Sequence, residues 1–267
     1  MARLQARSVT LRYDKRTIST DLSVTIPEGG FTVIVGANAC GKSTMLRGLS
    51  RLLKPSDGEV VLDGRNIEIL PARELARQVG LLPQSATAPS GITVADLVSR
   101  GRFPHQSFLR QWSVADEIAV GKAMQATGIS ELAEFPVDEL SGGQRQRVWI
   151  AMVLAQETSI LLLDEPTTFL DIAYQIEVLD LLAELNINGR TIVAVLHDLN
   201  HACRYATHLI AMRDGRIVAE GRPDNIVSEQ LVEEVYGLSS IVITDPFSNT
   251  PMVVPKGRLQ MLRSQKK

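Results

Sequence analysis

The stretch GANACGKST, Gly36 to Thr44, decides the fold of this chain. It fits the pattern G-x-x-x-x-G-K-[ST] of a phosphate-binding loop. The apolar run FTVIVG before it, residues 31–36, predicts a strand buried on both faces. The run KSTMLRGLSRLL after it predicts a helix that Lys54-Pro55 ends. Because strand, loop and helix follow in the order that the pattern requires, the sequence predicts an α/β nucleotide-binding core.

The loop offers a phosphate ligand several kinds of contact. Its backbone N–H groups can surround a β-phosphate, the Lys42 ammonium can reach the β and γ oxygens, and the Ser43 hydroxyl can bind Mg²⁺. Cys40 lies where a helix N-terminus can lower a thiol pKa, but a small residue that fits a tight turn is the favoured interpretation. The loop residues predicted to bind ATP are Gly36, Ala37, Asn38, Ala39, Cys40, Gly41, Lys42, Ser43 and Thr44.

Polar residues also follow three other apolar runs. Asp164 and Glu165 follow ILLL, Gln84 ends VGLLPQ and His197 ends TIVAVLH. Ligands of open α/β sheets bind beyond the carboxyl ends of the strands. We therefore predict Mg²⁺ ligands in Ser43, Gln84 and Asp164. Glu165 is predicted as the general base for a hydrolytic water and His197 as a hydrogen-bonding partner of the γ-phosphate.

Two further features are ambiguous by themselves. Tyr13, in the N-terminal strands, is either a ring that stacks on a nucleotide base or a packing residue. The stretch LSGGQRQR, residues 140–147, starts a helix with a serine and two glycines, which is an anion-binding shape. It has no strand before it and no lysine of its own. It therefore looks like half of a site.

Composition excludes several classes of protein. The 267 residues are 45% hydrophobic, which favours one large domain or one domain with a subdomain. The net charge of −2 gives no overall basic field for nucleic acid. The two cysteines stand far apart and fit a reducing compartment. The start of the chain lacks a secretory signal and no apolar run approaches ~20 residues, so we expect a cytosolic protein with membrane-surface residence left open.

The order of patterns along the chain predicts an architecture. The first thirty residues alternate as antiparallel strands, and SDGEVVLDGRNI predicts a hairpin with Asp57-Gly58 and Asp63-Gly64 at its turns. Residues 85–155 are mostly helical, with Ser113 and Asp116 as a capping pair, and strand-like runs then return. We predict a P-loop NTPase (RecA-like) core with an N-terminal antiparallel β-subdomain and an inserted α-helical subdomain.

In combination these motifs resemble the ATP-binding cassette (ABC) ATPases, the motor subunits of ABC transporters. GANACGKST matches the Walker A loop, LSGGQRQR the family signature and LLLDEP the Walker B strand. Gln84 matches the Q-loop, Asp171 in TTFLD the D-loop and His197 the switch histidine. The family loop usually has proline and glycine where this chain has Ala37 and Ala39.

The resemblance implies a head-to-tail homodimer that binds two ATP with Mg²⁺. Each signature helix would cover the ATP held by the partner's loop. The residues that would bind ATP in trans are Ser141, Gly142, Gly143, Gln144 and Asp171. It further implies one ABC ATPase domain over 1–267. Its parts would be an ATP-binding core of 1–84 and 156–230, a helical subdomain of 85–155 with the signature motif, and a C-terminal extension of 231–267.

A narrower resemblance is to the ATPases of ferric-siderophore importers, carried by TTFLDIAYQIEVLDLLAELN, LHDLNHACRYATHLIAMRDGRIVAEG and VYGLSSIVITDPFSNTPMVVPKGR. It implies an ATPase that drives uptake of an iron(III)–siderophore complex through a membrane permease, with a substrate-binding protein as an indirect partner. The chain would lie at the cytoplasmic face of the bacterial inner membrane, without nucleic acid. Relatives of that group import haem and vitamin B12, so these cargoes are alternatives.

Two other function classes compete with a transporter. A non-transport ABC ATPase acting on DNA or ribosomes usually has a long coiled-coil insertion or two cassettes, and this sequence shows neither. A P-loop kinase would leave LSGGQRQR unexplained. Within the transporter reading, permease loops would dock on residues 85–111, where Phe103 and Phe108 are either docking residues or part of the helical packing.

Overall fold

The computed structural model describes residues 2–106 and 112–257. The strands are β1 Ala2–Tyr13, β2 Arg16–Pro27, β3 Phe31–Gly36, β4 Asp57–Leu62, β5 Arg65–Asn66, β6 Val79–Leu82, β7 Ile160–Asp164, β8 Thr191–Val195, β9 His208–Arg213, β10 Arg216–Gly221, β11 Ser240–Thr244 and β12 Pro251–Pro255. The α-helices are α1 Lys42–Leu49, α2 Ala72–Ala76, α3 Val94–Ser99, α4 Val114–Ala126, α5 Gly142–Ala155, α6 Ile172–Ile187, α7 Leu199–Tyr205, α8 Pro223–Ile226 and α9 Glu229–Tyr236. Short 3₁₀ segments cover Arg100–His105, Ser130–Leu132 and Val137–Glu139.

The central sheet has the strand order β10-β9-β3-β8-β7-β6. Strands β9, β3, β8, β7 and β6 run parallel, and β10 pairs antiparallel with β9. Every residue of β3, β7 and β8 is buried, as their predominantly apolar sequences predict for strands covered on both faces. The carboxyl ends of β3, β6, β7 and β8 therefore lie at one edge of the sheet, which is where the polar residues that follow these strands are placed.

The N-terminal strands form a separate antiparallel sheet in the order β2-β1-β4-β5. One apolar cluster fills the space between the two sheets around α1, with Leu4, Ile34 and Leu46 among its fully buried members. A second cluster covers the other face of the central sheet and includes Leu97, Ile150 and Leu179 from the helices. The predicted α/β core with an antiparallel β-subdomain and a helical insertion is confirmed.

The first helix is shorter than predicted. It ends at Leu49 rather than at Leu53, because Arg51 adopts a left-handed conformation (φ 64) and the Leu53 N–H turns back to the Arg47 carbonyl at 3.0 Å. A left-handed backbone is costly for arginine. The Arg51 guanidinium compensates by donating through Nη1 to the carbonyls of Ile67 and Leu70, at 2.7 and 2.6 Å.

One predicted turn is also wrong. Asp63-Gly64 does close the β4–β5 hairpin, but Asp57-Gly58 begins β4 itself. Gly58 (φ 74) lies against a bulged part of β1, and a Cβ there would be 2.3 Å from the Ser8 carbonyl oxygen. A glycine is needed at position 58 because β4 approaches β1 closely there, and not because the chain reverses its direction.

The inserted segment is helical as predicted, and the capping pair is present. Ser113 accepts from the Asp116 N–H, while the Asp116 carboxylate accepts from the Ser113 N–H at 3.0 Å. Phe103 is 58% exposed, whereas Phe108 lies outside the described residues. Among the residues that the structure describes, no helix combines the length and apolar character that crossing a membrane requires.

Candidate nucleotide-binding site

A cleft of about 650 Å³ opens at the carboxyl ends of the parallel strands. It brings together the predicted residues of the phosphate-binding loop, of three other strand ends and of the N-terminal sheet. Its lining residues are Tyr13, Arg16, Ile18, Asn38, Ala39, Cys40, Gly41, Lys42, Ser43, Thr44, Gln84, Glu165 and His197. Gly36 and Ala37 precede this lining as the first residues of the loop.

The loop conformation depends on glycine at its first position. Gly36 has φ 151, and a Cβ there would be 2.3 Å from the Met212 carbonyl oxygen of β9. Ala39 adopts φ 61, so the position where the family usually has glycine does use a left-handed backbone here. Lys42 is 5% exposed, and its Nζ donates to the carbonyls of Gly36 and Ala37 at 2.8 and 2.9 Å. These bonds hold the ammonium against the loop that precedes its helix.

Ser43 and Asp164 are in direct contact. The Ser43 hydroxyl donates to Asp164 Oδ1 at 2.8 Å, although 121 residues separate them in sequence. Asp164 is 2% exposed, and burial raises the pKa of its carboxyl, opposed by the Ser43 hydrogen bond. A buried carboxylate beside a hydroxyl, with the Gln84 amide lining the same cleft, is an oxygen donor set that suits Mg²⁺.

Mg²⁺ at such a site would keep water or phosphate oxygens among its ligands. The part of the chain that the structure describes contains no cluster of three or more His, Cys, Asp or Glu placed to hold a metal. Mg²⁺ retains waters readily and is commonly bound by one or two carboxylates together with substrate phosphates. The residues present therefore fit that ion in company with a nucleotide.

Glu165 and His197 meet across neighbouring strands. Glu165 Oε1 lies 2.6 Å from His197 Nε2, and its Oε2 accepts from the Thr168 hydroxyl at 3.2 Å. Glu165 is 9% exposed and adopts φ 56, an uncommon backbone conformation for glutamate. Strained residues of this kind cluster at functional sites. The arrangement holds a carboxylate in a fixed direction at the edge of the cleft.

The surroundings of Tyr13 and Cys40 distinguish between the two interpretations that the sequence left for each residue. The Tyr13 ring lines the cleft, is 38% exposed and accepts through its hydroxyl from Arg47 Nη1 at 3.1 Å, so it is not a core packing residue. Cys40 is 5% exposed, and burial raises the pKa of its thiol, opposed by the Lys42 charge. The favoured interpretation of Cys40 as a small packing residue therefore agrees with its surroundings, and the helix terminus does not activate it.

The signature residues lie apart from the cleft, which none of them lines among the described residues. Ser141 caps α5: its hydroxyl accepts from the Gln144 N–H at 3.2 Å, and the Gln144 amide oxygen accepts from the Ser141 N–H at 3.0 Å. Asp171 likewise caps α6 by accepting from the Tyr174 N–H at 3.0 Å. Gly142 and Gly143 stand at the start of α5, where backbone N–H groups have no partner within the helix.

Sequence reasoning missed Arg16 and Thr168. Arg16 lines the cleft beside Tyr13 and adds a cation on that side. Its sequence signal was weak because it lies among other charged residues of an exposed strand end. Thr168 was visible only as part of TTFLD, and its contact with Glu165 depends on the turn that follows β7.

Comparisons with known proteins agree with this geometry. The sequence profile of the family described as ABC transporter matches residues 19–168. The chain is 59% identical over 259 residues to the ferric enterobactin transport ATP-binding protein FepC of Escherichia coli (strain K12), across 97% of this chain and 96% of FepC. It superposes on a transporter described as metal-chelate type, in an inward-facing conformation, with TM-score 0.82, 25% identity and coverage of 97% and 99%. A dimeric bacterial ABC transporter cassette matches with TM-score 0.74, 29% identity and coverage of 82% and 98%.

Proposed function

The chain belongs to the ABC transporter family as an ATP-binding subunit that hydrolyses ATP to power transport, and from that premise we propose that it drives import of an iron(III)–siderophore complex. The observation that carries the ATPase part is the cleft in which the loop, the Ser43–Asp164 pair and the Glu165–His197 pair converge. The cargo is supported by the identity to a ferric enterobactin transport subunit, which extends over 97% of the chain.

Each group in the cleft has a distinct part in hydrolysis. Lys42 and the loop N–H groups would bind the phosphates, and Ser43, Gln84 and Asp164 would hold Mg²⁺. The bound ion supplies positive charge that offsets the charge on the phosphate oxygens. Glu165 accepts a proton from the attacking water. His197 Nε2 holds the Glu165 carboxylate at 2.6 Å, and the His197 side chain lines the cleft in which the terminal phosphate would lie.

The signature residues act on the partner's nucleotide in this proposal. Ser141, Gly142, Gly143 and Gln144 form a helix start with unused N–H groups, outside the cleft of their own chain. Asp171 lies on the segment that packs against that start, since a Cβ on Gly142 would be 3.6 Å from Phe169 Cβ. A symmetric homodimer would bring each signature to the opposite cleft, and the likeness to a dimeric cassette supports it.

The remaining partners belong to the same proposal. The transported complex crosses the membrane through permease subunits, and a substrate-binding protein delivers it to them. The ATPase lies peripherally at the cytoplasmic face of the membrane. In this proposal the subunit attaches to the membrane through its contact with the permease.

The test is ATP-dependent uptake by the chain reconstituted with its permease and binding protein in vesicles. Labelled ferric siderophores, haem and cobalamin are compared, with Lys42→Ala as the matched variant that loses phosphate binding. Uptake of a ferric siderophore by the unaltered protein and not by the Lys42→Ala variant is the expected result. Preferential uptake of haem or cobalamin would overturn the cargo, and ATP hydrolysis stimulated by DNA rather than by permease would overturn the transport role.

A further inference from the structure

The helix that follows His197 is bound to the C-terminal segment, which we define as residues 229–257. Helix α7 begins at Leu199, and its second residue, Asn200, contacts strand β12 with both ends of its amide. Asn200 Nδ2 donates to the Val253 carbonyl at 3.2 Å, and the Val253 N–H donates to Asn200 Oδ1 at 2.7 Å. The side chain thus pairs with the edge of the β11–β12 hairpin as a neighbouring strand would.

A second anchor joins the other end of α7 to the same hairpin. Arg204 Nη2 lies 2.7 Å from Asp245 Oδ2, and Asp245 Oδ1 accepts from the N–H groups of Phe247 and Ser248 at 2.8 and 3.1 Å. Asp245 is 6% exposed, and these partners hold the pKa of its carboxyl well below its usual range. The ion pair therefore fixes α7 to the turn between β11 and β12.

The C-terminal segment also faces His197 and the three residues that follow it. A cleft of about 270 Å³ separates residues 197–200 from Val232, Tyr236, Leu238, Val253 and Pro255. Burial raises the pKa of Tyr236 to about 12. Residues 197–200 and apolar side chains of the C-terminal segment therefore form opposite walls of one cleft.

We propose that the C-terminal segment sets the position of His197 through α7, with Asn200 as the main positioning residue and the Arg204–Asp245 pair as a second anchor. On the other side of His197, the chain leaving β8 is held to β3, because the Leu196 N–H donates to the Ile34 carbonyl at 3.2 Å. Asp198, the residue after His197, caps α7 by accepting from the His201 N–H at 2.9 Å. His197 is therefore joined to the start of the helix through a single capping residue. Movement of α7 against β12 would therefore move the imidazole relative to Glu165. This inference rests on the proposed role of His197 in ATP hydrolysis.

The first test compares Asn200→Ala with Tyr205→Phe. Tyr205→Phe is the matched control because it removes a 2.7 Å hydrogen bond from the same helix, directed instead to Asp180 of α6. Asn200→Ala is expected to leave the affinity for a non-hydrolysable ATP analogue within about twofold and to lower kcat about tenfold. Tyr205→Phe is expected to leave both unchanged. Equal kcat in the two variants at the wild-type rate would overturn the proposal.

A direct readout comes from the imidazole resonances, because the sequence has only four histidines. The His197 signal, assigned by its loss in His197→Ala, is expected to shift in Asn200→Ala and to stay in place in Tyr205→Phe. An unchanged signal in Asn200→Ala would refute positioning through His197. Should Asn200→Ala fail to fold, Asn200→Asp keeps the acceptor for the Val253 N–H, and Arg204→Met removes the second anchor. A shift in either variant supports the proposal, and no shift in both overturns it.

A double-mutant cycle separates positioning from a general loss of stability. If Asn200 acts through His197, adding Asn200→Ala to His197→Ala lowers the single-turnover rate no further. Two effects that multiply independently would show that Asn200 acts by another route. Failure of the proposed role of His197 is distinguishable, since it would appear as an undiminished hydrolysis rate in His197→Ala.

Discussion

At the scale of single residues, the site contains two neighbouring buried carboxylates, Glu165 and Asp164, and each has an energetic cost of a different kind. Glu165 keeps a left-handed backbone, which costs a non-glycine residue about 1–2 kcal/mol. The structure holds it through His197 and Thr168. Asp164 keeps a carboxyl in a site where burial raises its pKa. Both costs are understandable if the chain is selected for reaction chemistry at this position rather than for stability.

Glu165→Gln is expected to bind ATP and to lower kcat by about 100-fold or more, because the amide cannot accept the proton of the attacking water. Glu157→Gln is a matched control. Glu157 is a second glutamate with a left-handed backbone (φ 53), but it pairs with Arg102 away from the cleft. Steady-state ATPase assays and analogue binding measure the two effects. Hydrolysis at the normal rate by Glu165→Gln would assign the base elsewhere.

Asp164→Asn is expected to raise the melting temperature measured without Mg²⁺ and nucleotide, while lowering ATPase activity at least about tenfold. The amide still accepts from Ser43 but carries no charge for burial to penalise. The pKa of the Asp164 carboxyl is raised above 3.8 in the folded protein, so the folded state binds the proton more tightly than the unfolded state does. The contribution of this group to stability therefore falls as the pH rises from 3.8 through the raised pKa. The variant should lose that slope.

Asp63→Asn provides the control of opposite sign. A hydrogen bond from Arg3 lowers the pKa of the Asp63 carboxyl, so its contribution to stability is present at neutral pH and is lost as pH falls through the acidic range. Its substitution should leave the melting temperature unchanged or lower it. A lower melting temperature for Asp164→Asn than for the wild type would show that its charge is better compensated than its burial indicates.

At the scale of elements, the 3₁₀ segment Arg100–His105 holds an exposed side chain, Phe103, beside a buried one, Arg102. Arg102, 4% exposed, pairs with Asp116 at 2.8 Å and donates to the Ala155 carbonyl at 2.7 Å. Burial raises the pKa of the Asp116 carboxyl, but the hydrogen bonds from Ser113 and Arg102 outweigh it and the net pKa is lowered. The 3₁₀ segment is thus fixed between α4 and α5, with the neighbouring Phe103 pointing out of the fold.

Phe103→Ala is expected to weaken co-purification with the permease and to leave the ATPase rate of the isolated subunit unchanged. An exposed aromatic side chain on a rigid support is a typical anchor of a protein interface. Phe135→Ala is the control, because Phe135 is 51% exposed in the same helical region but follows the second 3₁₀ segment. Normal co-purification of the Phe103 variant would place Phe103 outside the permease contact.

Elements with strong local patterns were predictable from sequence. The predominantly apolar runs of β3, β7 and β8, and the capping box of Ser113, follow from side-chain types at neighbouring positions. The end of α1 was not, because it depends on Arg51 reaching carbonyls more than fifteen residues away. The contact of Ser43 with Asp164 and of Asn200 with Val253 likewise depends on how the sheet orders its strands. Local pattern carries no information about such pairs.

At the scale of the whole molecule, the chain separates two anion-binding features that a single nucleotide needs together. The cleft is lined by Lys42, Glu165 and His197, while the signature helix starts outside it with a serine cap and two glycines. Phe169, beside that helix start, is 79% exposed, and Ile172, three residues further along the chain, is 77% exposed. Exposed apolar residues around an unused anion site are the expected features of a surface that a second subunit covers.

Complementation between two inactive variants tests that separation. Lys42→Ala removes phosphate binding in its own cleft, and Ser141→Arg obstructs the signature. Neither homodimer contains an intact composite site, but a mixed dimer contains one, formed by the Lys42 of one chain and the Ser141 of the other. Random pairing should therefore restore up to about a quarter of the wild-type ATPase activity. Because Ser141→Arg also removes a helix cap, Ser113→Ala measures the cost of losing the other capping box. A Ser141→Arg homodimer with wild-type activity would show that each cleft hydrolyses ATP without its partner.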